Sequence, residues 1–174
     1  FGGILTSNQD IDIKVAEEIN KLFFEVLIAP NFSDSALDLL KSKKNRIIIK
    51  LKSFPINKLQ TRSCLSGILE QDIDDKVEKF EDFKVVTNVS PDSTKSDDLV
   101  LASIIVKHTK SNCIAIVKNR QLIGTGMGQV SRIDALNQAI EKSKKFGFDL
   151  SESCLASDAF FPFSDCVEIS HANN

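Results

Sequence analysis

The chain has 174 residues, 42% hydrophobic and 26% charged, enough to bury a substantial core and within the ordinary globular range. Its formal net charge of -2 and pI near 5.7 exclude the basic face that binding a phosphate backbone requires, so nucleic acid is not an expected partner. No apolar run has the length of a bilayer span, and residues 1–12 lack the basic and apolar regions of a leader, so the chain reads as cytoplasmic with no membrane partner.

Asp12 can cap a helix in which Val15, Ala16, Ile19, Leu22 and Phe23 share one apolar face, while Lys14, Glu17, Glu18 and Lys21 face water. Glu25 to Ala29 reads as a buried strand stopped by Pro30. Ser33 can cap a second helix carrying Ala36, Leu37, Leu39 and Leu40, and the β-branched run Ile47, Ile48, Ile49 reads as another strand. The pattern to this point is alternating α/β. Between Ser53 and Asp82 the periodicity weakens, with one strand expected at Leu65 to Glu70 and a charge-rich connection from Asp72 to Asp82.

Val85, Val86 and Thr87 then read as a short strand, and Leu99, Ala102, Ser103 and Val106 mark a helix from about Thr94 to His108. A hairpin follows, with strands Cys113 to Lys118 and Gln121 to Thr125 turning at Asn119 and Arg120. Ser131 can cap a helix with Ala135, Leu136, Ala139, Ile140 and Phe146 inward, ended by Gly147. A strand at Cys154 to Ser157 leads into the loop that holds Phe160. Cys64, Cys113, Cys154 and Cys166 show no CxxC spacing and read as buried free thiols.

Two stretches carry chemistry. Ser157-Asp158-Ala159-Phe160-Phe161-Pro162-Phe163-Ser164-Asp165 puts three rings and two carboxylates in one short loop. Pro162 argues against a core strand and the aromatic surface against a plain turn, which leaves a lined pocket as the expectation. Upstream, Ser111-Asn112 precedes Gly124-Thr125-Gly126-Met127-Gly128-Gln129-Val130-Ser131-Arg132. Glycines there would let backbone N–H groups approach a ligand just ahead of a helix N-terminus, which favours anions.

These motifs occur in order with Phe1-Gly2-Gly3, Ile28-Ala29-Pro30, Ser66-Gly67-Ile68-Leu69-Glu70-Gln71-Asp72 and Val85-Val86-Thr87. From Phe1 to about Ser170 the chain resembles the transformylase part of the AICAR transformylase/IMP cyclohydrolase family. The resemblance implies an α/β fold of cytidine-deaminase-like α/β/α layers, present twice. Residues 1–80 would be the end of the first half plus a connection, and residues 81–174 the second half. Phe1-Gly2-Gly3 and Phe160-Phe161-Pro162 would then occupy corresponding places.

It further implies transfer of a formyl group from formyltetrahydrofolate to the exocyclic amine of AICAR in purine biosynthesis, with no metal. A cyclohydrolase domain elsewhere and a homodimer come with it. That amine is a weak nucleophile, so a proton must be removed and charge on the formyl oxygen stabilised. In the family a Lys-His pair does this, in a segment before Phe1; both chain ends are accordingly expected to be cuts.

Lys107-His108 is a Lys-His dipeptide too, but it reads as a cation at a helix C-terminus, where relatives have an aromatic residue in place of His108. His171 reads as solvent-facing. By resemblance Gly2, Glu25, Asn112, Arg132 and Phe160 bind AICAR, and Ile133 and Asp165 meet folate. Asn112 offers an amide to the carboxamide, Arg132 a planar donor fork, and Gly2 and Phe160 backbone contacts.

Plainer readings stand beside these: Glu25 as a helix end, and Asp165 as the cap of a helix that begins at Cys166. Arg132 in a first turn opposes the helix dipole, which speaks for a role beyond the helix. Ser164 departs from the arginine that relatives often carry. Two other functions compete, a zinc-dependent deaminase and a binding or assembly module without catalysis. The deaminase would need an H-x-E segment and a P-C-x-x-C pair, and neither is present.

Overall fold

Two βαβ crossovers build the N-terminal part of the chain: β1 (Gly3–Thr6), α1 (Ile13–Asn20), β2 (Phe24–Ala29), α2 (Asp34–Lys41) and β3 (Ile47–Lys50). The computed structural model describes residues 2–53 and 58–173, so Phe1 of the first motif lies outside the described residues. The chain divides into two units, Phe1–Asp74 and Asp75–Asn174. In the first, the strands pair in parallel in the order β1-β2-β3, an arrangement that requires the helical crossovers.

Both caps read from the sequence are made: Asp12 Oδ1 accepts the Val15 N–H at 2.9 Å and Ser33 Oγ the Ala36 N–H at 3.3 Å. Ala16, Leu27, Ala29, Ala36 and Leu40 are buried together. Arg46 closes the far end, donating to Asn20 Oδ1 at 2.7 Å and to the Leu40 carbonyl at 3.4 Å, at the C-terminal ends of both helices where a cation is favoured.

The apolar face of α1 is narrower than expected. The helix stops at Asn20, so Leu22 and Phe23 lie beyond it, and they are exposed, as is Val15. Glu25 sits in β2 and ends no helix. Strand β1 had no sequence signal, being only four residues that start on a glycine.

The unit ends in a hairpin of β4 (Leu59–Cys64) and β5 (Gly67–Asp72). The expected strand at Leu65 to Glu70 is therefore displaced: Leu65 forms the turn at φ 52, and β4 was not foreseen. Every residue of both strands is exposed, so no buried face imposed an alternation on the sequence.

The second unit contains 3-10 turns at Phe80–Asp82 and Ser93–Lys95, then α3 (Ser96–Lys107), β6 (Ile114–Lys118), β7 (Gln121–Gly126), α4 (Arg132–Lys145), β8 (Cys154–Ser157) and α5 (Asp165–Ala172). The sheet order is β7-β6-β8, antiparallel throughout. Ile114 and Ile116 meet Leu136, Ala139 and Ile140 of α4, while Cys113 and Ala115 meet Val106 of α3 on the opposite face. Burial on both faces is why β6 reads as a continuous apolar run. The fold is mixed α/β, as expected.

The turn of the β6–β7 hairpin falls at Asn119 (φ 53) and Arg120 (φ 61), the double left-handed pair of a tight hairpin. Buried Asp98 accepts both of their N–H groups, at 2.9 and 2.6 Å. Gly147 ends α4 at φ 76 as expected, but Phe146 forms the C-cap and is exposed rather than inward. Val85, Val86 and Thr87 form no strand; they have no ladder partner among the described residues and are exposed. Cys64 is exposed, against expectation, while Cys113, Cys154 and Cys166 are buried free thiols. Burial pushes those three thiols above their ordinary value, which keeps them unreactive.

Candidate functional site

In the first unit, the Gly2 N–H donates to Glu25 Oε2 at 2.9 Å. A Cβ on Gly2 would lie 2.9 Å from Glu25 Cγ and 3.0 Å from Phe23 Cε1, so a side chain there would displace the carboxylate. Two of the residues expected to meet AICAR are thus neighbours.

In the second unit, Ser111, Cys113 and Arg132 converge on Asp158. Ser131 Oγ caps α4 by accepting the Asp134 N–H at 3.1 Å, which sets Arg132 as the first helical residue. The Arg132 Nη1 donates to Asp158 Oδ1, and the two side chains are only 10% and 11% exposed. Asp158 Oδ1 also accepts the Cys113 N–H at 2.7 Å, and its Oδ2 accepts the Ser111 hydroxyl. Burial alone would push the Asp158 carboxyl up; hydrogen bonds from Ser111, Cys113 and Arg132, with the arginine charge, outweigh it and hold the group below the usual carboxylate range.

Asn112 follows the cis peptide bond after Ser111. Its Nδ2 donates to the Gln129 carbonyl at 2.9 Å, and the backbones of Asn112 and Gln129 pair at 3.3 and 3.4 Å. One amide donor is therefore used by the protein, while Oδ1 has no hydrogen-bond partner among the described residues. Arg132 Nε is likewise buried without a partner.

The aromatic loop does not close on itself. Phe161 packs against the core beneath α4, but Phe160 is 81% and Phe163 73% exposed. The rings face solvent rather than lining an enclosed pocket. Ile133 is partly buried against the same core. Asp165 opens α5 and accepts the Cys166 N–H at 2.7 Å, whereas Ser164 takes the cap position without a capping bond and meets Glu168 Oε1 at 2.6 Å. Asp165 makes no hydrogen bond to the Arg132 network among the described residues. Both nonetheless act on the Cys166 thiol, where, after burial, Asp165 raises the pKa and Arg132 lowers it.

The glycine motif has a different cause from the one expected. A Cβ on Gly126 would lie 1.9 Å from the Ala135 carbonyl oxygen, and one on Gly124 would lie 2.1 Å from Ser143 Oγ. These two glycines lie in β7 and allow α4 to pack closely against it. Only Gly128, at φ 64, belongs to the loop before α4. Close helix–strand packing, not a phosphate cradle, explains them.

His108 caps the C-terminal end of α3 and is exposed, and Lys107 Nζ donates to the Lys76 carbonyl in the same unit. Among the described residues no three His, Cys, Asp or Glu side chains are grouped to hold a metal ion, and no helix is long and apolar enough to cross a membrane. The residue that sequence reasoning passed over is Asp158, named only as a bracket of the aromatic loop. The available signal was an acidic residue immediately after a short, mostly apolar strand.

The model of the AICARFT/IMPCHase bienzyme family matches residues 1–142. The chain belongs to that family. It is 53% identical over 169 residues to the bifunctional purine biosynthesis protein PurH of Bacteroides thetaiotaomicron, covering 97% of the chain and 33% of the relative. The PurH of Acetivibrio thermocellus is 43% identical over 176 residues, 99% of the chain and 34% of the relative. That of Aquifex aeolicus is 43% identical over 169 residues, 97% of the chain and 33% of the relative. The chain therefore spans about a third of the length of the relatives it matches.

Proposed function

We propose that the chain is part of an AICAR transformylase, which moves a formyl group from formyltetrahydrofolate to the AICAR amine in purine biosynthesis, in a protein that also carries IMP cyclohydrolase activity. The observation that carries this reading is the Asp158 cluster. One carboxylate draws together Ser111-Asn112, Arg132 at the start of α4 and the aromatic loop after β8, the three motifs on which the resemblance rests. An acceptor at Asn112 Oδ1 and an unsatisfied guanidinium Nε suit a planar, polar heterocycle.

On this reading Gly2, Glu25, Asn112, Arg132 and Phe160 meet AICAR, and Ile133 and Asp165 meet the folate, an organic cosubstrate; no metal takes part. Lys107-His108 is a bystander, and the proton and charge work belongs to a Lys-His pair outside this chain. Residues 1–80 and 81–174 belong to the two halves of a duplicated, deaminase-like domain. The protein is a cytoplasmic homodimer.

Protein of the relatives' full length should formylate AICAR from formyltetrahydrofolate, while the 174-residue chain alone should not. Loss of general acid-base help by itself removes roughly 10²- to 10⁴-fold in rate. Turnover by the chain alone at the full-length rate would show Lys107-His108 to be more than a bystander; its absence from the full-length protein would refute the function.

A further inference from the structure

Asp158 is held by three donors from two segments of the chain. Its Oδ2 takes the Ser111 hydroxyl, and its Oδ1 takes the Cys113 N–H and Arg132 Nη1. Its own backbone N–H returns to the Cys113 carbonyl at 3.3 Å, extending the β6–β8 ladder by one step. Arg132 Nη1 also leans on that carbonyl at 3.5 Å.

The protein thus uses one nitrogen of the guanidinium and leaves the opposite edge. Nε is buried with no partner, and Nη2 makes no hydrogen bond among the described residues. The Nε–Nη2 edge can make two parallel hydrogen bonds to a planar acceptor. A buried ion pair is a poor source of net stability, since both charges lose their water and an apolar pair of similar volume often serves as well. What the pair does supply is a fixed orientation.

We propose that Asp158 is the positioning residue of the nucleotide half of the site: it grips Arg132 by Nη1 so that the Nε–Nη2 edge is presented to the ligand. Through Ser111 and Cys113 it also fixes the turn that carries Asn112. Asp158 itself does not touch the ligand. The inference rests on the reading of Arg132 and Asn112 as AICAR contacts.

The test is a double-mutant cycle in protein of the relatives' full length, with AICAR affinity read by calorimetry and Tm read beside it. Asp158→Asn should weaken AICAR about tenfold or more, the loss that follows from misplacing one charge-assisted hydrogen bond. In an Arg132→Ala background Asp158→Asn should weaken AICAR by clearly less than it does alone, leaving only the several-fold loss that comes through the segment carrying Asn112.

Ser111→Ala removes one anchor and keeps the ion pair, so it should weaken AICAR several-fold at near-constant Tm. It decides the matter if Asp158→Asn fails to fold. Formyltetrahydrofolate affinity should stay within about twofold in each variant. A lowered Tm with AICAR affinity intact would make Asp158 merely structural and overturn the proposal. So would losses that multiply in full in the double variant, or a Ser111→Ala protein with wild-type affinity. Failure of the unsubstituted protein to bind AICAR at all would instead refute the function on which the inference rests.

Discussion

The two antiparallel hairpins among the described residues are close in length and unlike in what holds them. β4–β5 keeps an unbroken register from Leu59↔Asp72 to Cys64↔Gly67, yet Leu59, Ile68 and Leu69 are exposed and no residue of either strand is buried. β6–β7 carries an irregularity between Ile116 and Val117, yet it is joined by β8, covered by α3 and α4, and clamped at its turn by Asp98. Regularity of the ladder and burial are thus separate properties: the regular hairpin is the exposed one. A two-stranded hairpin alone is marginal in water, and burial of a face supplies the difference.

The sharpest contrast is at the glycines. Gly126→Ala puts a Cβ 1.9 Å from the Ala135 carbonyl, and strand and helix must separate. The expected cost is about 3 kcal/mol or more, the upper end for overpacking, a large part of the stability of an ordinary domain. Gly67→Ala in β5 meets nothing nearer than the Cys64 carbonyl at 3.7 Å, so its effect should lie within about 0.5 kcal/mol. Denaturant melts of the two variants measure both. Equal costs would show that close packing against α4 is not what sets β6–β7 apart.

Next in size is the turn clamp. Asp98→Ala strands the N–H groups of Asn119 and Arg120 without their acceptor and should destabilise by about 2 kcal/mol. Thermal unfolding checks this; an unchanged Tm would mean that water replaces the carboxylate at no cost. The β4–β5 turn has no such clamp among the described residues, only Leu65 at φ 52. Leu65→Asn, whose short side chain tolerates the left-handed conformation, should raise hydrogen-exchange protection of the β4–β5 amides by a few tenths of a kcal/mol up to about 1 kcal/mol. A fall in protection would show that the exposed leucine itself holds the hairpin.

The same contrast explains what could be read from the sequence. Asp12, Ser33, Ser131 and Gly147 each make a local contact with a fixed sequence offset, so the helix starts and the end of α4 were legible. Strands β2, β3, β6, β7 and β8 were legible as apolar or β-branched runs beside turn residues. β4 was not, because with both faces exposed its residues carry no period. Phe146, Leu22 and Phe23 were assigned to the apolar faces by helical spacing, but each lies just past the end of a helix, where the face no longer continues.

Less of the site was legible. Its residue types could be read, but their grouping depends on Asp158, which meets Arg132 at a separation of 26 residues and Ser111 at 47. No local pattern encodes a contact of that range. The glycines misled for a related reason: a glycine required by a helix packed across the strand looks, in sequence, like one required by a ligand.

The most direct test of the account is a titration of full-length protein bearing Arg132→Ala or Asp165→Ala, each with AICAR and with formyltetrahydrofolate. Arg132→Ala should weaken AICAR by about ten- to a hundredfold, the loss of a charge-assisted hydrogen bond worth about 1.5 to 3 kcal/mol, and leave the folate nearly unchanged. Asp165→Ala should do the reverse. If both substitutions weaken the same ligand, or neither weakens any, the assignment of Arg132 to the nucleotide and Asp165 to the folate is wrong.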